Sequence, residues 1–329
     1  KNTDTKCMAK YIIKRILLAI LSCFIIMTLM FTLFKLLPNP IEAQQGGYDK
    51  ALRDMYEAWG YNKPIIIQYA FFLKKIFTQW DWGFCTTVGT FLQPVTAYLA
   101  SKLPATLYLN IFSVILSLPL GIFFGIIAAV YKNKWPDHII QFFIMLFISV
   151  PSFVYAFLLQ YFVGFKLGWC PLVFKGGTDY FSWSMFHSAI LPILSLSFGT
   201  IASYMRLIRA ELTETLTSDY MLLARTKGLT KTQATVRHAL RNSLVPLMPS
   251  VLSEFIYIIM GSYIIENIFA IPGIGRTAIL AFTNRDYNVF MACEMFYVAI
   301  GLGAGILADL SYGFIDPRIR MGGNKTNEL

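Results

Sequence analysis

Apolar residues in this chain fall into long runs separated by polar, basic or turn-forming stretches, and the lengths of those runs set the first expectation. The run Ile16 to Leu37 follows Lys10, Lys14 and Arg15 and is closed by Pro38-Asn39-Pro40, which cannot continue a helix. Further runs cover roughly Pro104 to Tyr131, Ile139 to Leu167, Phe186 to Ile208, Leu244 to Ile265 and Val289 to Ile315. Each is near or above the length a tilted helix needs to cross about 30 Å of hydrocarbon at about 1.5 Å per residue. The pattern predicts an all-α membrane protein with six transmembrane helices. The first run is too long, and lacks a small-residue cleavage site, for a removable signal, so it is expected to be a retained anchor.

Three regions follow from this pattern: 1–103, the first helix with a long extracytoplasmic loop; 104–316, a five-helix core with a cytoplasmic loop at 210–243; and 317–329, a cytoplasmic tail. Within the first loop, the amphipathic piece Ile65 to Phe77 and Trp80-Asp81-Trp82 suit a segment lying on the membrane surface, where it would cap the outer mouth. Of the 28 Lys and Arg residues, seventeen fall on the side that carries both termini, and most of the rest sit in the one long loop that counts least for orientation. Both termini are expected to be cytoplasmic.

Composition narrows the class. Hydrophobic residues make up 56% of the 329 positions, aromatic residues 16% and charged residues 14%, which excludes an ordinary soluble enzyme. The net charge of +10 would suit nucleic acid only if it were concentrated on a soluble face, whereas here the basic residues flank apolar runs. The five cysteines show no CxxC spacing, and with three histidines no zinc site can be assembled. Cys85 and Cys170 both fall outside the membrane, which leaves a disulfide between them open.

Small residues and prolines inside the runs are packing signals. Gly121-x-x-x-Gly125 and Gly301-x-Gly303-x-Gly305 allow helices to approach closely, and Pro119, Pro151 and Pro192 bend helices where neighbours can satisfy the freed carbonyls. No GxxxxGK[ST] sequence is present, so the chain has no nucleotide-hydrolysing loop of its own. Gly273-Ile-Gly275-Arg-Thr-Ala278 matches a dinucleotide fingerprint by letter, but it lies between two spans with no βαβ unit around it. HExxH and GxSxG are absent as well, and the chain is not expected to be an enzyme.

The cytoplasmic loop between spans four and five carries its own order. Ser218 or Asp219 can cap a short helix Tyr220 to Lys227, and Gly228 sits where a left-handed residue would end it. Thr230 to Gln233 has a capping-box pattern that starts a second helix, through Asn242 and before Pro246. Two short helices about a glycine turn, carrying Arg225, Lys227, Lys231, Arg237 and Arg241, would form a rigid basic knob at the membrane surface. A solvated positive-inside loop explains the charge equally well, but not the paired caps and the glycine.

At this loop the chain resembles a known family. Ala224-Arg-Thr-Lys-Gly228-Leu, with Arg237-His-Ala-Leu-Arg-Asn242-Ser-Leu-Val-Pro246, is similar to the coupling loop of binding-protein-dependent ABC importer permeases of the oligopeptide, dipeptide and nickel branch. Tyr11-Ile-Ile-Lys-Arg15, Lys63-Pro-Ile-Ile-Ile-Gln-Tyr69, Asp81-Trp-Gly83, Lys102-Leu-Pro-Ala-Thr-Leu107 and Ser149-Val-Pro-Ser-Phe153 resemble the first of that branch's two permease subunits. So do Glu266-Asn-Ile-Phe-Ala-Ile-Pro-Gly273-Ile-Gly275, Arg285-Asp-Tyr287 and Asp316-Pro-Arg-Ile-Arg320. The resemblance runs from about Met8 to Arg320. Leu223-Ala-Arg stands where the wider family has EAA, and Leu240-Arg241 where Leu-Pro is usual.

The resemblance implies a type I ABC importer permease fold in a bacterial or archaeal cytoplasmic membrane. It further implies a second homologous permease, two cytoplasmic ABC ATPase subunits that hold the ATP and Mg, and an extracytoplasmic peptide-binding protein. No cofactor is expected on this chain. Asp219, Ala224, Arg225, Lys227, Gly228, Arg237, His238, Arg241 and Asn242 would then form the ATPase-coupling face. Glu254, about eleven residues into span five, either lines a wet translocation pathway or sits protonated between helices, and Glu294 would line the entrance. Asp309, near the inner end of span six, would pair with a basic group. Phe269 to Arg276, with Pro272, Gly273 and Gly275, reads either as an outer gate or as a plain connection. Trp59 to Gly83 would cap the helices or touch the binding protein. Peptides are the expected cargo. Nickel or a nickel chelate is the alternative, although no His or Met cluster points to it; a secondary transporter would need an inverted repeat that the sequence lacks.

Overall fold

A computed structural model describes residues 2–36, 57, 60, 62–177 and 179–315, with side chains from 12 to 307. The described residues are mostly helical, with one isolated strand bridge between Phe84 and Pro94. In chain order the helices are α1 (Asn2–Leu36), α2 (Ile65–Gln79), α3 (Val95–Val130), α4 (Trp135–Ser149), α5 (Ser152–Leu159) and α6 (Trp183–Leu216). Then come α7 (Asp219–Thr226), α8 (Lys231–Ala234), α9 (Leu240–Leu244), α10 (Met248–Tyr257), α11 (Tyr263–Ile268), α12 (Ile274–Thr283) and α13 (Tyr287–Ile315). Pro38 to Pro40, the Asp316 to Arg320 motif, the tail and the Asp309 side chain lie outside the described residues.

Among the described residues four helices are long and apolar enough to cross a membrane: Ile12–Leu36 in α1, Val95–Val130, Trp183–Leu216 and Tyr287–Leu307 in α13. Trp135–Ser149 with Ser152–Lys166 would make a fifth crossing, but the pair is bent by 101°. The bend has a local cause. Val150, held in an extended conformation (φ −98°, ψ 126°) by the ring of Pro151, ends α4, and Pro151 then starts α5 at the position where its missing N–H is harmless.

The expected run Leu244 to Ile265 is likewise divided. Helical backbone continues past Pro246 as a tight turn, Val245–Leu247, into α10, and then stops at Tyr257. Gly261 (φ +68°) turns the chain into α11. A Cβ at Gly261 would stand 2.5 Å from Glu266 Oε1 and 2.7 Å from Thr106 Cγ2, so glycine is required for both its angle and its size. The second span begins at Val95, earlier than the apolar run suggests. At 36 residues it is about 54 Å long, more than the hydrocarbon layer demands.

The chain forms two compact units. One comprises Lys1–Pro104 with Pro272–Gly303. In it Met27, Phe31, Ile76, Met291 and Met295 form the buried cluster, and Phe31 packs against the rings of Tyr69 and Phe72. Most of α1 between Ile13 and Leu36 leaves its large apolar side chains exposed, as suits a lipid-facing helix. The amphipathic piece is observed as α2, closed by Trp80 in the left-handed region (φ 53°).

The other unit comprises Ala105–Ile271 with Ala304–Leu329. Here the first glycine pair acts as its spacing predicts. A Cβ on Gly121 would meet Tyr204 Cβ at 2.6 Å and the Ile201 carbonyl oxygen at 3.0 Å, and one on Gly125 would meet Ile208 Cβ at 2.7 Å. Thus α3 and α6 are in near-backbone contact. Gly301, Gly303 and Gly305 are different: a Cβ at any of them would meet nothing within 4 Å, so close helix approach at these glycines is not observed among the described residues. Phe147 on α4 stacks flat on Phe198 of α6, with ring centroids 4.7 Å apart.

Candidate functional site: a capped basic knob below a charged cavity

The loop after α6 is built as two short helices about a glycine. Ser218 occupies the N-cap position of α7, but its hydroxyl donates back to Thr215 O at 2.6 Å and does not cap the helix, while Asp219 places a carboxylate in the first turn. At the other end the Gly228 N–H donates to Arg225 O (3.0 Å) and the Leu229 N–H to Ala224 O (3.3 Å). That pair of bonds, with Gly228 at φ +90°, is the Schellman ending that the sequence predicts. The capping box is formed in both directions. Thr230 Oγ1 accepts from the Gln233 N–H at 3.3 Å, and Gln233 Oε1 accepts from the Thr230 N–H at 3.1 Å. After α8 the chain makes one wide turn, Thr235–Ala239, and enters α9 without a break.

The inner face of the knob is apolar and small. Met221, Ala224, Ala234 and Ala239 pack with Leu212 near the end of α6 and Ala129 at the end of α3. Ala224 is therefore a packing residue of the knob. Its outer face exposes Asp219, Arg225, Lys227, Gly228, Arg237, His238, Arg241 and Asn242. Between these charges stand Leu222, Leu223 and Val236, exposed by 63%, 55% and 58%. Sequence reading missed them, because leucine and valine on a short helix read as core. No other part of the described chain lies within 4 Å of a Cβ placed on Gly228.

A second attachment holds α6 where it approaches the knob. Asp137, fully buried at the start of α4, accepts from Arg209 on α6, Nε to Oδ1 at 2.6 Å and Nη2 to Oδ2 at 2.9 Å. Its Oδ2 also accepts the Asn133 N–H at 2.8 Å.

Above the knob lies a cavity of about 870 Å³. One wall is α6 from Leu196 to Ala210, and another is α10 at Ser250, Ser253, Glu254 and Tyr257; Phe147, Val150, Ser152 and Tyr155 complete it. Glu254 lines this cavity and is half-buried. Arg206 lines the same space. Both walls lead into the knob, since α6 ends just before α7, and α9 with the following tight turn leads into α10.

Other predicted residues lie elsewhere. Glu294 is half-buried on α13, in the first unit, and engages other residues there. Gly273 caps α12 in extended conformation (φ −100°), with its carbonyl accepting from Thr277 Oγ1 at 2.7 Å; Gly275 is buried in the first turn of that helix, and Pro272 is half-buried. The stretch read as gate or connection is thus half turn and half helix, and α12 itself is missing from the sequence reading. Glu266, 2% exposed, also passed without a role; it accepts from Thr106 Oγ1 at 2.9 Å. Cys85 and Cys170 are each a free thiol. Among the described residues no group of three or more His, Cys, Asp or Glu side chains could hold a metal ion.

Comparison with known proteins covers nearly the whole chain. Residues 121–321 match the model of the binding-protein-dependent transport system inner membrane component, and residues 8–110 match the N-terminal model of the same membrane components. The dipeptide transport system permease protein of Lactococcus lactis subsp. cremoris (strain MG1363) is 35% identical over 314 residues, covering 95% of this chain and 100% of that protein. The oligopeptide transport system permease protein of Haemophilus influenzae (strain ATCC 51907 / DSM 11121 / KW20 / Rd) is 30% identical over 315 residues, covering 95% and 100%. Among solved structures, a crystal structure of an amino acid ABC transporter with histidines aligns with a TM-score of 0.48 at 19% identity, covering 65% of this chain and 92% of that one.

Proposed function

The chain belongs to the binding-protein-dependent transport system inner membrane components, and from that premise we propose that it is one of two permease subunits of an ATP-driven importer of short peptides. It is a multi-pass protein of the inner membrane and a transporter subunit. Both relatives named above carry peptides, which supports the cargo. The other parts of the system are a second homologous permease, two cytoplasmic ABC ATPase subunits that bind ATP and Mg, and an extracytoplasmic binding protein that delivers the peptide. In this reading the chain crosses the membrane six times with both termini inside, the bent pair α4 and α5 and the divided run from α9 to α11 each counting as one crossing.

The observation that carries the reading is the placement of the knob at the junction of the two cavity walls. A body docked on Arg225, Lys227, Arg237, His238, Arg241 and Asn242 would move α6 and α10 together, because the Schellman ending, the capping box and the small-residue core leave the knob little freedom to deform. Closure of an ATPase dimer would thereby alternate the access of the cavity. Leu222, Leu223 and Val236 supply the apolar centre such an interface needs, with the basic residues as its rim. Pro272, Gly273 and Gly275 would serve as an outer gate, and Glu294 would line an entrance.

Uptake of labelled dipeptides and oligopeptides, and of labelled nickel, by cells with and without this chain tests the proposal. Loss of peptide uptake alone is expected. Loss of nickel uptake alone would replace the cargo while keeping the coupling, and loss of neither would remove the peptide cargo.

A further inference from the structure

The cavity between α6 and α10 holds one base and one acid, and we propose that together they form a zwitterion site, with Glu254 receiving the N-terminal ammonium of a peptide and Arg206 its C-terminal carboxylate. The inference rests on the peptide reading above and deepens it.

Neither side chain has an ion pair or a hydrogen bond among the described residues, although both line one cavity. Arg209, one turn below Arg206, shows the contrast, because both of its bonds to Asp137 are satisfied within the chain. A carboxylate left without a partner while half-buried, as Glu254 is, is costly and is kept where something else neutralises it, and the exposed Arg206 guanidinium on the same cavity is open to a ligand. Because the two carry opposite signs, a lone cation would meet repulsion from Arg206 and a lone anion from Glu254. The ligand that satisfies both is neutral overall and charged at its two ends, as a short unblocked peptide is.

The rest of the lining fits such a ligand without reading its sequence. Thr200 and Ser250 offer hydroxyls to a peptide's own N–H and C=O groups, while Phe147 and Leu196 offer apolar surface to side chains of any kind. The cavity-lining part of α6, from Leu196 to Ala210, extends about 21 Å at about 1.5 Å per residue, a wall longer than a dipeptide of roughly 7 Å. A guanidinium suits a carboxylate because it can bind both oxygens at once, and a carboxylate suits an ammonium through charge-assisted bonds.

The test is uptake by cells carrying the complete transporter, with the wild-type chain, Glu254→Gln or Arg206→Gln. Three labelled probes are used: dialanine, N-acetyl-dialanine and dialanine amide, each supplied over a wide range of concentrations. Glu254→Gln is expected to lower dialanine uptake at least about tenfold while changing N-acetyl-dialanine uptake less than about twofold, since the blocked peptide has no ammonium to lose. Arg206→Gln should give the mirror pattern with the amide. Equal proportional losses for free and blocked peptides would overturn the zwitterion site alone. Failure of the wild-type transporter to take up any of the three would remove the peptide reading, and this one with it.

Discussion

Arg209 grips both carboxylate oxygens of Asp137, a residue 72 positions earlier, at 2.6 and 2.9 Å, and Asp137 is wholly buried while about a quarter of the Arg209 side chain remains exposed. The pair fastens α6 to the start of α4 a few residues before α6 enters the knob. It lies beside the contact of Leu212 with Ala129, so the knob hangs from a helix held twice.

Removing one partner should therefore hurt more than removing both. Asp137→Asn leaves a partly buried guanidinium without its counter-charge, and a loss of about 2–4 kcal/mol is expected, read as a lower melting temperature of the detergent-solubilised protein. The double change Asp137→Leu with Arg209→Met should recover much of it. Additive losses would mean that the two side chains act independently.

Glycine packing gives a sharper prediction. A side chain on Gly121 would press on the Ile201 carbonyl oxygen and Tyr204 Cβ, neither of which is the free end of a flexible side chain. Gly121→Val should destabilise by about 3 kcal/mol or more, or abolish membrane accumulation altogether. Gly303→Val, where a Cβ would meet nothing within 4 Å, should leave the folded chain's accumulation unchanged. Immunoblotting of membrane fractions separates the two.

In the first unit, Asp286 Oδ2 accepts three successive backbone N–H groups, from Thr86 at 2.7 Å, Thr87 at 2.9 Å and Val88 at 3.1 Å, and so pins the loop that contains Cys85. Burial of the Cys85 thiol, reinforced by the Asp286 charge and opposed by a backbone hydrogen bond, pushes its pKa from 9.0 up to about 12. The folded form thus keeps its proton where the unfolded chain loses it. This contribution to stability is present below pH 9 and declines as pH rises from about 9 to about 12. Maleimide labelling of Cys85 at neutral pH should be negligible in the wild type and rise at least about tenfold in Asp286→Ala, which frees three backbone donors and removes the charge. Unchanged labelling would show that the carboxylate does not hold this loop.

Much of this was legible in the sequence, and the exceptions have physical reasons. Runs of apolar residues report helix length, so α1, α3, α6 and α13 were readable. The Thr230 and Gln233 capping box and the Gly228 turn were readable because they are local chemistry, complete within a few residues. By contrast, the need for glycine at position 261 was invisible, since the groups a side chain there would strike, the Glu266 carboxylate and the Thr106 methyl, lie 160 residues apart in the chain. The same applies to Arg209, counted as one basic residue among the seventeen expected on the side of both termini although it belongs to Asp137. Pro246 reads as a helix stop, yet it sits in a tight turn that carries the chain onward into α10. Glu254 was recognised as out of place among apolar residues, but Arg206, which shares its cavity, could be placed there only by the fold.

Coupling through the knob is tested most directly by Gly228→Asp. A Cβ there would meet nothing within 4 Å, and although a side chain at φ +90° is strained, aspartate tolerates positive φ better than most residues, so folding and insertion should persist. A bulky anion would then stand on the basic docking face. With the complete transporter in proteoliposomes, ATP hydrolysis and labelled dipeptide uptake are measured in the same sample. Hydrolysis should continue while uptake falls at least about tenfold. Uptake and hydrolysis that both match the wild type would contradict the assignment of this loop as the point where ATPase motion enters the chain.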